Sequence, residues 1–316
     1  MKSLFLSISL LFVSTSFAQK LLPERDVRQQ VFAGEKFFKL YTTDEPLDGA
    51  YKVVMSGGAY YEATFVEGRI NGTYKRYNSD GKLTAEEHYK NGKNDGTWKY
   101  YNAKGKLTSL KNYKDGKPWG KWQLWDDDAE WLQSEYDYKG EKNYSLRMYY
   151  DNGKIAQELT YKNGKEDGSQ KYYESEGYLV KELLKENGEL ILDRMYHSNG
   201  KLYSEVSYKD GKKNGKSVIY YPNGNLAEQG TYKNDKEEGL WIEYGTKGQL
   251  KLERNFSRGT IEGIYKQYYP NGKLEYEGTY KNTNREGVWK YYNQAGRLTS
   301  EETYDHDKLV KTVKYN

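Results

Sequence analysis

The chain has 316 residues, with 50 basic side chains, 46 acidic side chains and no cysteine. The lack of cysteine excludes disulfide bonds, thiolate metal sites and a cysteine nucleophile. The formal net charge of +4 comes from mixed charges rather than blocks, so the chain has no basic stripe suited to nucleic acid. The fold must explain an unusual composition, since 35 residues are tyrosine and 32 are glycine.

The N-terminus has the pattern of a secretory signal peptide. Lys2 gives a positive start, a mostly apolar run extends from Leu4 to Phe17, and the small residue Ala18 closes it. The run is short for a membrane span of about 20 residues. We therefore interpret residues 1–18 as a cleaved signal peptide rather than a membrane anchor. This predicts export to the periplasm, the cell surface or the medium, with no transmembrane segment left after cleavage.

A repeat dominates the chain that follows. Residues 19–48 contain few repeat features and are predicted to form an N-terminal arm or cap. Residues 49–304 repeat with a step of 24 residues, replaced twice by 23. This gives about eleven units. They begin at Gly49, Gly72, Gly96, Gly120, Tyr144, Gly168, Ile191, Gly215, Gly239, Gly263 and Gly287.

Aromatic and aliphatic residues recur at fixed places in each unit, whose first residue we number position zero. Position five is aromatic in ten successive units, from Tyr77 to Tyr292. Position eleven is usually leucine, and position seventeen is usually tyrosine. The unit that begins at Gly120 departs from this pattern, with Trp131 at position eleven.

Each unit also has two turn signals, for example Asn152-Gly153 after a tyrosine pair and Asn163-Gly164 after position seventeen. Asn-Gly favours two-residue hairpin turns, because both central residues have positive φ. The runs between the turns are rich in residues that strands prefer. Each unit is therefore predicted to be one β-hairpin. The fold class is an all-β, elongated, single-layer antiparallel β-meander, with residues 305–316 as a C-terminal capping strand.

The turns predict which residues face each other across the strands. Position three lies opposite position fourteen, which pairs opposite charges in six units, and such pairs are favourable. Lys99 opposite Leu110 is an exception. The six pairs are Lys75–Glu86, Arg147–Glu158, Lys171–Glu182, Arg194–Glu205, Lys266–Glu277 and Lys290–Glu301.

Because side chains alternate along a strand, the same register predicts two faces. One face carries the charge pairs and the position-five tyrosines. The other, the aromatic face, carries positions two, four, eleven and seventeen. Its tryptophans form two groups separated by a plainer spacer, and we predict that it binds a partner unless its rings only pack on one another. The candidate partner-binding residues are Trp98, Tyr100, Trp122, Trp241, Tyr265, Trp289 and Tyr291.

No pattern predicts a catalytic, metal or cofactor site. His88, His197 and His306 belong to different units. The repeated carboxylates lie opposite lysine or arginine, which is typical of structural ion pairs. The acidic run 126–128 lacks the alternate spacing of a calcium loop. No glycine pattern precedes a helix, so a phosphate-binding loop is excluded. We expect a protein that is not an enzyme and needs no cofactor.

The run from Tyr89 to Trp98 resembles a MORN repeat, with its aromatic, glycine, glycine and aromatic residues in order. The bacterial MORN-variant repeat is closer still, since it shares the tyrosine pair and the Asn-Gly-Lys-Leu and Lys-Asn-Gly-Lys runs. The resemblance extends from Gly49 to Tyr304. It implies an elongated β-meander with a role in protein or lipid contacts and no catalytic residue. Such proteins are often labelled antitoxin components of toxin–antitoxin systems.

These patterns predict a non-enzymatic, secreted or periplasmic scaffold that binds a protein. Two alternatives remain open. One is a glycan-binding or cell-wall-binding repeat protein, because aromatic rings stack on sugar rings. The other is an antitoxin-type or immunity-type protein. Membrane-surface contact is disfavoured by the balanced charge.

Overall fold

A computed structural model of the chain describes residues 19–32 and 35–315. The predicted signal peptide, residues 1–18, lies outside the described residues. The described chain has 29 β-strands and a short 3-10 helix at Glu24–Asp26. Among the described residues, no helix has the length and apolar character needed to cross a membrane. The strands are β1 (Lys20–Pro23), β2 (Val27–Phe32), β3 (Glu35–Leu40), β4 (Gly49–Val54), β5 (Tyr60–Val66), β6 (Arg69–Tyr77), β7 (Leu83–Lys90), β8 (Lys93–Asn94), β9 (Gly96–Tyr101), β10 (Leu107–Lys114), β11 (Lys117–Pro118), β12 (Gly120–Trp125), β13 (Leu132–Gly140), β14 (Asn143–Tyr149), β15 (Ile155–Lys162), β16 (Lys165–Glu166), β17 (Gly168–Tyr173), β18 (Leu179–Glu186), β19 (Glu189–Tyr196), β20 (Leu202–Lys209), β21 (Lys212–Tyr220), β22 (Leu226–Lys233), β23 (Lys236–Tyr244), β24 (Leu250–Ser257), β25 (Thr260–Tyr268), β26 (Leu274–Lys281), β27 (Asn284–Tyr292), β28 (Leu298–Asp305) and β29 (Lys308–Lys314).

The strands belong to two compact units, an N-terminal unit ending at Glu130 and a C-terminal unit beginning at Trp131. In the N-terminal unit, β4, β5, β6, β7, β9, β10 and β12 pair antiparallel in that order, and the two-residue strands β8 and β11 pair with β7 and β10. In the C-terminal unit, β13 to β15 and β17 to β29 continue in the same order, and the two-residue strand β16 pairs with β15. The predicted all-β antiparallel meander of tandem hairpins is confirmed.

The N-terminal unit has more than one layer where the repeats begin. Strand β1 adds to β4 in parallel, and β2 and β3 form a separate hairpin. Residues 19–48 thus supply an edge strand and a hairpin. Phe38 and Leu47 from this segment join a buried cluster with Val53, Phe65 and other residues of the first repeats. An apolar core forms here because the hairpin covers one face of the sheet.

The two turn signals of a unit produce two different turns. Asn163 and Gly164 have φ of 54° and 79°, and the pair Lys162–Lys165 flanks them, which confirms the two-residue turn. At the other signal, the Tyr150 amide donates to the Lys154 carbonyl at 2.8 Å. Of the three residues between them, only Gly153 has positive φ, at 78°. The two-residue prediction is wrong there, because a three-residue loop also places glycine in the left-handed region.

A β-bulge preserves the predicted register despite the longer loop. Arg147 faces Glu158 as predicted, and the register shifts between Met148 and Tyr149. The extra strand residue at the bulge cancels the extra loop residue. The six charge pairs and the exception Lys99–Leu110 are all confirmed as facing residues.

The same bulge moves the position-eleven residues to the other face. Position five pairs directly with position eleven, as in Tyr268–Leu274. Directly paired residues share a face. The leucines therefore lie beside the position-five tyrosines, and their predicted place on the aromatic face is wrong. A period of two cannot be followed through a bulge, since the extra residue inverts the alternation.

Hydrogen bonds between successive turns explain why the turn residues repeat. The Asn152 side chain donates to the Ser175 carbonyl at 2.9 Å. Lys154 Nζ donates to the Glu176 carbonyl at 2.7 Å, and the Tyr150 hydroxyl donates to the Tyr173 carbonyl at 2.8 Å. Asn199, Asn223 and Asn271 make the equivalent bond from their own turns. Where it occurs, the motif thus joins one hairpin to the next.

Candidate interaction surface

A continuous row of rings crosses the aromatic face of the N-terminal unit. It alternates residues from positions two and seventeen of successive units. Neighbouring ring centroids are 6.4, 5.1, 4.9 and 5.0 Å apart, within the usual range for packed aromatic pairs. We call it the N-terminal aromatic row, and its members are Tyr74, Tyr89, Trp98, Tyr113 and Trp122.

Hydrogen bonds to the backbone hold the two tryptophans of this row. Trp98 Nε1 donates to the His88 carbonyl at 2.9 Å, and Trp122 Nε1 donates to the Asn112 carbonyl at 2.6 Å. Both side chains are half-buried. Their polar atoms are therefore bonded within the chain, while part of each ring remains accessible. Rings held in this way lose little conformational entropy when a partner binds.

Tyr100 and Lys111 lie beside the row. Lys111 Nζ is 5.8 Å from the ring centroid of Tyr100 and 5.3 Å from that of Trp122, within cation–π range. The Tyr100 hydroxyl donates to one oxygen of Glu87 at 2.9 Å, and the Tyr89 hydroxyl donates to the other at 2.6 Å. Burial, and then Glu87, raise the pKa of Tyr100, so its hydroxyl stays protonated at neutral pH. Here the row combines ring surface with one positive charge.

The two predicted tryptophans of the C-terminal unit are buried. Trp241 is 4% exposed and Trp289 is 2% exposed. Their rings lie over the glycines Gly230 and Gly278, where a Cβ would be 2.1 and 2.2 Å from a ring atom. Neither indole nitrogen has a hydrogen-bond partner among residues 19–32 and 35–315. These tryptophans pack against their own chain and present no open ring face.

The other predicted residues of that unit lie near Trp289. The ring of Tyr265 is 6.0 Å from that of Trp289, and Tyr291 reaches the same cluster through Tyr276 at 5.8 Å. Both are half-buried. Trp241 packs instead on Tyr232 and Phe256.

Sequence reasoning missed Tyr276, because its position thirteen is not aromatic in most units. A glycine inside a predicted strand, Gly278, was the available sign that a ring approaches the backbone there. The seven predicted residues therefore divide into Trp98, Tyr100 and Trp122 in one unit and a mostly internal group in the other.

The charged face satisfies its own side chains. Glu158 accepts from Arg147 Nε at 3.0 Å and from the Tyr173 hydroxyl at 2.8 Å. Burial, and then the bond to Glu158, raise the pKa of Tyr173 to about 12. The pattern of a glutamate between a cation and the next tyrosine recurs at Glu182, which accepts from Arg194 and Tyr196. Such groups are occupied by structural bonds.

One histidine acquires acidic neighbours in space. His306 Nδ1 is 2.5 Å from the Asp305 carboxylate and 4.0 Å from that of Glu286. The ligand atoms of the three lie within 4.8 Å of one another, the spacing of a possible metal group. His306 and Asp305 are exposed, and exposed acidic clusters are common without an ion. The sequence did not reveal this cluster, because Glu286 is distant from His306 along the chain and is brought close to it by the pairing of neighbouring strands.

Comparison with known proteins shows which family of repeats these units resemble. The family model described as "MORN repeat variant" matches residues 70–91, 94–115, 146–163, 194–210, 213–234, 261–282 and 285–306. None of the curated proteins compared with the chain matches it.

Two solved structures similar to the chain are much larger proteins. The Photorhabdus luminescens Tc holotoxin pore is 12% identical over 92% of this chain and 17% of that chain, with a TM-score of 0.17. Alternansucrase in complex with isomaltononaose is 14% identical over 90% of this chain and 23% of that chain, with a TM-score of 0.18. The chain thus spans 17% and 23% of the lengths of these proteins.

Proposed function

Because the chain belongs to the MORN repeat variant family, we propose that it is a non-enzymatic scaffold whose N-terminal aromatic row binds a protein partner. MORN repeats are in general interaction repeats. The observation that carries the proposal is the row itself, whose tryptophans Trp98 and Trp122 are fixed by hydrogen bonds yet only half-buried.

The chemistry of the row favours a protein surface as its partner. Tryptophan and tyrosine are enriched among the residues that contribute most to protein interfaces. Lys111 adds a positive charge between Tyr100 and Trp122, which suits an apolar partner surface with an acidic edge. In the C-terminal unit, Trp241 and Trp289 are buried by packing within the chain.

We also propose that the chain is exported after cleavage behind Ala18. The charged, apolar and small-residue pattern of residues 1–18 supports this. Mass spectrometry of the N-terminal peptide from fractionated cells tests it. A mature N-terminus at Gln19 in the envelope or the medium is expected, and an intact N-terminus in the cytoplasmic fraction would contradict export.

A capture experiment with residues 19–316 as bait tests the scaffold role. Envelope extract is passed over the bait, over a Trp98→Ala/Trp122→Ala variant and over a Trp119→Ala control. Trp119 is 48% exposed and is not a member of the row. Near-UV circular dichroism and thermal melting confirm that each bait is folded.

We expect one protein to be enriched by the unchanged bait and the control, and lost from the double variant. The purified partner should then bind the double variant at least about tenfold more weakly. Equal capture by all three baits would refute the proposed surface. If the bait were retained on insoluble polysaccharide and released by free sugar, the partner would be a glycan rather than a protein.

A further inference from the structure

The N-terminal unit contains a cavity of about 330 Å³ lined by the hairpin β2–β3 and by strands of the first repeats. Phe38, Tyr61 and Ile70 line it and are 7%, 8% and 6% exposed. Val27 and Met55 add further apolar lining. The cavity is at the small end of ligand pockets, which usually begin at about 300 Å³.

The charged groups of the cavity differ in whether they are already bonded. Both oxygens of Glu87 accept hydroxyl hydrogen bonds, from Tyr89 at 2.6 Å and from Tyr100 at 2.9 Å. The guanidinium of Arg76 forms no ion pair or hydrogen bond with any residue of 19–32 or 35–315. Arg76 thus keeps its full donor capacity, while Glu87 is occupied.

Two tyrosine hydroxyls add further donors. Tyr61 and Tyr74 line the cavity, and neither hydroxyl bonds to another part of the described chain. Burial raises the pKa of both, to about 12 for Tyr74, so both remain protonated at neutral pH.

The remaining polar groups of the cavity are exposed, as Arg76 itself is. They are the acid Glu24, the base Lys36 and the amide Gln29. An ion pair with any of these exposed charges, Arg76 included, is screened by solvent and contributes little by itself. The unoccupied groups with the least solvent exposure are therefore the hydroxyls of Tyr61 and Tyr74, and Arg76 is an exposed cation that faces Tyr61.

Arg76 is also unusual within the repeat. It occupies position four, where other units carry tyrosine, leucine, methionine or other residues, and it is the only arginine or lysine at that position. It faces Tyr61 across the β5–β6 pair. The positive charge is therefore a property of this cavity and not of the repeat.

We propose that the cavity binds an organic acid, with its carboxylate held by Arg76 and the hydroxyls of Tyr61 and Tyr74, and its apolar group against Phe38 and Ile70. Arginine pairs with carboxylates through two parallel hydrogen bonds, which suits one planar anion. A free small acid and the C-terminal residue of a peptide present the same chemistry.

Titration of residues 19–316 with 3-phenylpropionate tests the inference by calorimetry and by methyl NMR of Ile70 and Met55. The neutral alcohol 3-phenylpropanol is the matched probe. We expect the acid to bind and shift these methyl signals, and the alcohol to bind at least about tenfold more weakly, because a hydrogen bond to a charged group is lost. A short peptide ending in phenylalanine, with a free or an amidated C-terminus, then shows whether the site takes the C-terminal carboxylate of a peptide as well as a free small acid.

Two variants locate the binding. Arg76→Gln should weaken 3-phenylpropionate at least about tenfold. Lys75→Gln, the next residue of β6, should leave it unchanged, because Lys75 faces Glu86 on the opposite side of the sheet. Absence of binding at millimolar acid, equal binding of the alcohol, or full affinity in Arg76→Gln would overturn the inference. Trp98 and Trp122 do not line the cavity, so either result leaves the partner-capture test intact.

Discussion

The indole ring of Trp289 lies directly over Gly278, so that a Cβ on this glycine would be 2.2 Å from a ring atom. Trp241 covers Gly230 in the same way, at 2.1 Å. In the wider pattern of the repeat, glycine at position fifteen therefore accompanies a buried tryptophan at position two of the next unit. The two tryptophans that follow a larger residue at position fifteen, Trp98 after Glu87 and Trp122 after Lys111, are only half-buried.

Gly278→Ala should destabilise the chain by about 2 kcal/mol or more, because the new methyl group overlaps the ring and the strand must shift. Urea denaturation followed by circular dichroism measures the loss. In a Trp289→Ala background, Gly278→Ala should destabilise the chain much less, because the ring that the new methyl group would overlap has been removed. Additive costs in the double variant would show that the ring and the glycine are not coupled.

The sequence predicted the repeated parts of the fold well, because each unit repeats the same physical signals. The facing pair Arg147–Glu158 was correct although its turn was not, since loop and bulge each add one residue. The bulge could not be seen in the pattern, so the face of the position-eleven residues was wrong. The cavity was also missed, because the hairpin that forms it has no repeat signal.

The inter-turn hydrogen bonds should contribute measurably to stability. The Asn271 side chain donates to the Gln294 carbonyl at 3.0 Å and accepts from the Lys273 amide. Asn271→Ala removes both bonds and should cost about 1–2 kcal/mol in chemical denaturation. Asn284→Ala is the matched control, since that side chain makes no hydrogen bond with the described residues. Equal losses from the two variants would contradict a fastening role.

The glutamates of the charged face should make stability depend on pH. Hydrogen bonds from Ser169, and then from Arg194 and Tyr196, lower the pKa of Glu182 from its ordinary value of 4.5. The folded state therefore binds this proton less readily than the unfolded state. The stabilisation is complete above the ordinary pKa and is lost as pH falls through the lower folded pKa.

Glu182→Gln should lower the free energy of unfolding at pH 7 and reduce its decline between pH 5 and pH 3. Denaturation at several pH values measures both effects. Glu174→Gln is the control, because Glu174 is exposed and its side chain has no bonded partner within the described chain. The same pH dependence in both variants would exclude Glu182 as the source.

The burial of the tryptophans predicts that two members of the aromatic face act differently. Trp289→Ala should lower the free energy of unfolding by about 3–5 kcal/mol, because a fully buried ring leaves a cavity. Trp98→Ala should lower the free energy of unfolding by less, since its ring is half-buried. It should nevertheless weaken binding of the purified partner at least about tenfold. Denaturation and partner titration on the folded fraction of each variant separate these effects. If Trp289→Ala removed binding while its stability stayed unchanged, the contact surface would lie in the C-terminal unit, and the assignment to the N-terminal aromatic row would be wrong.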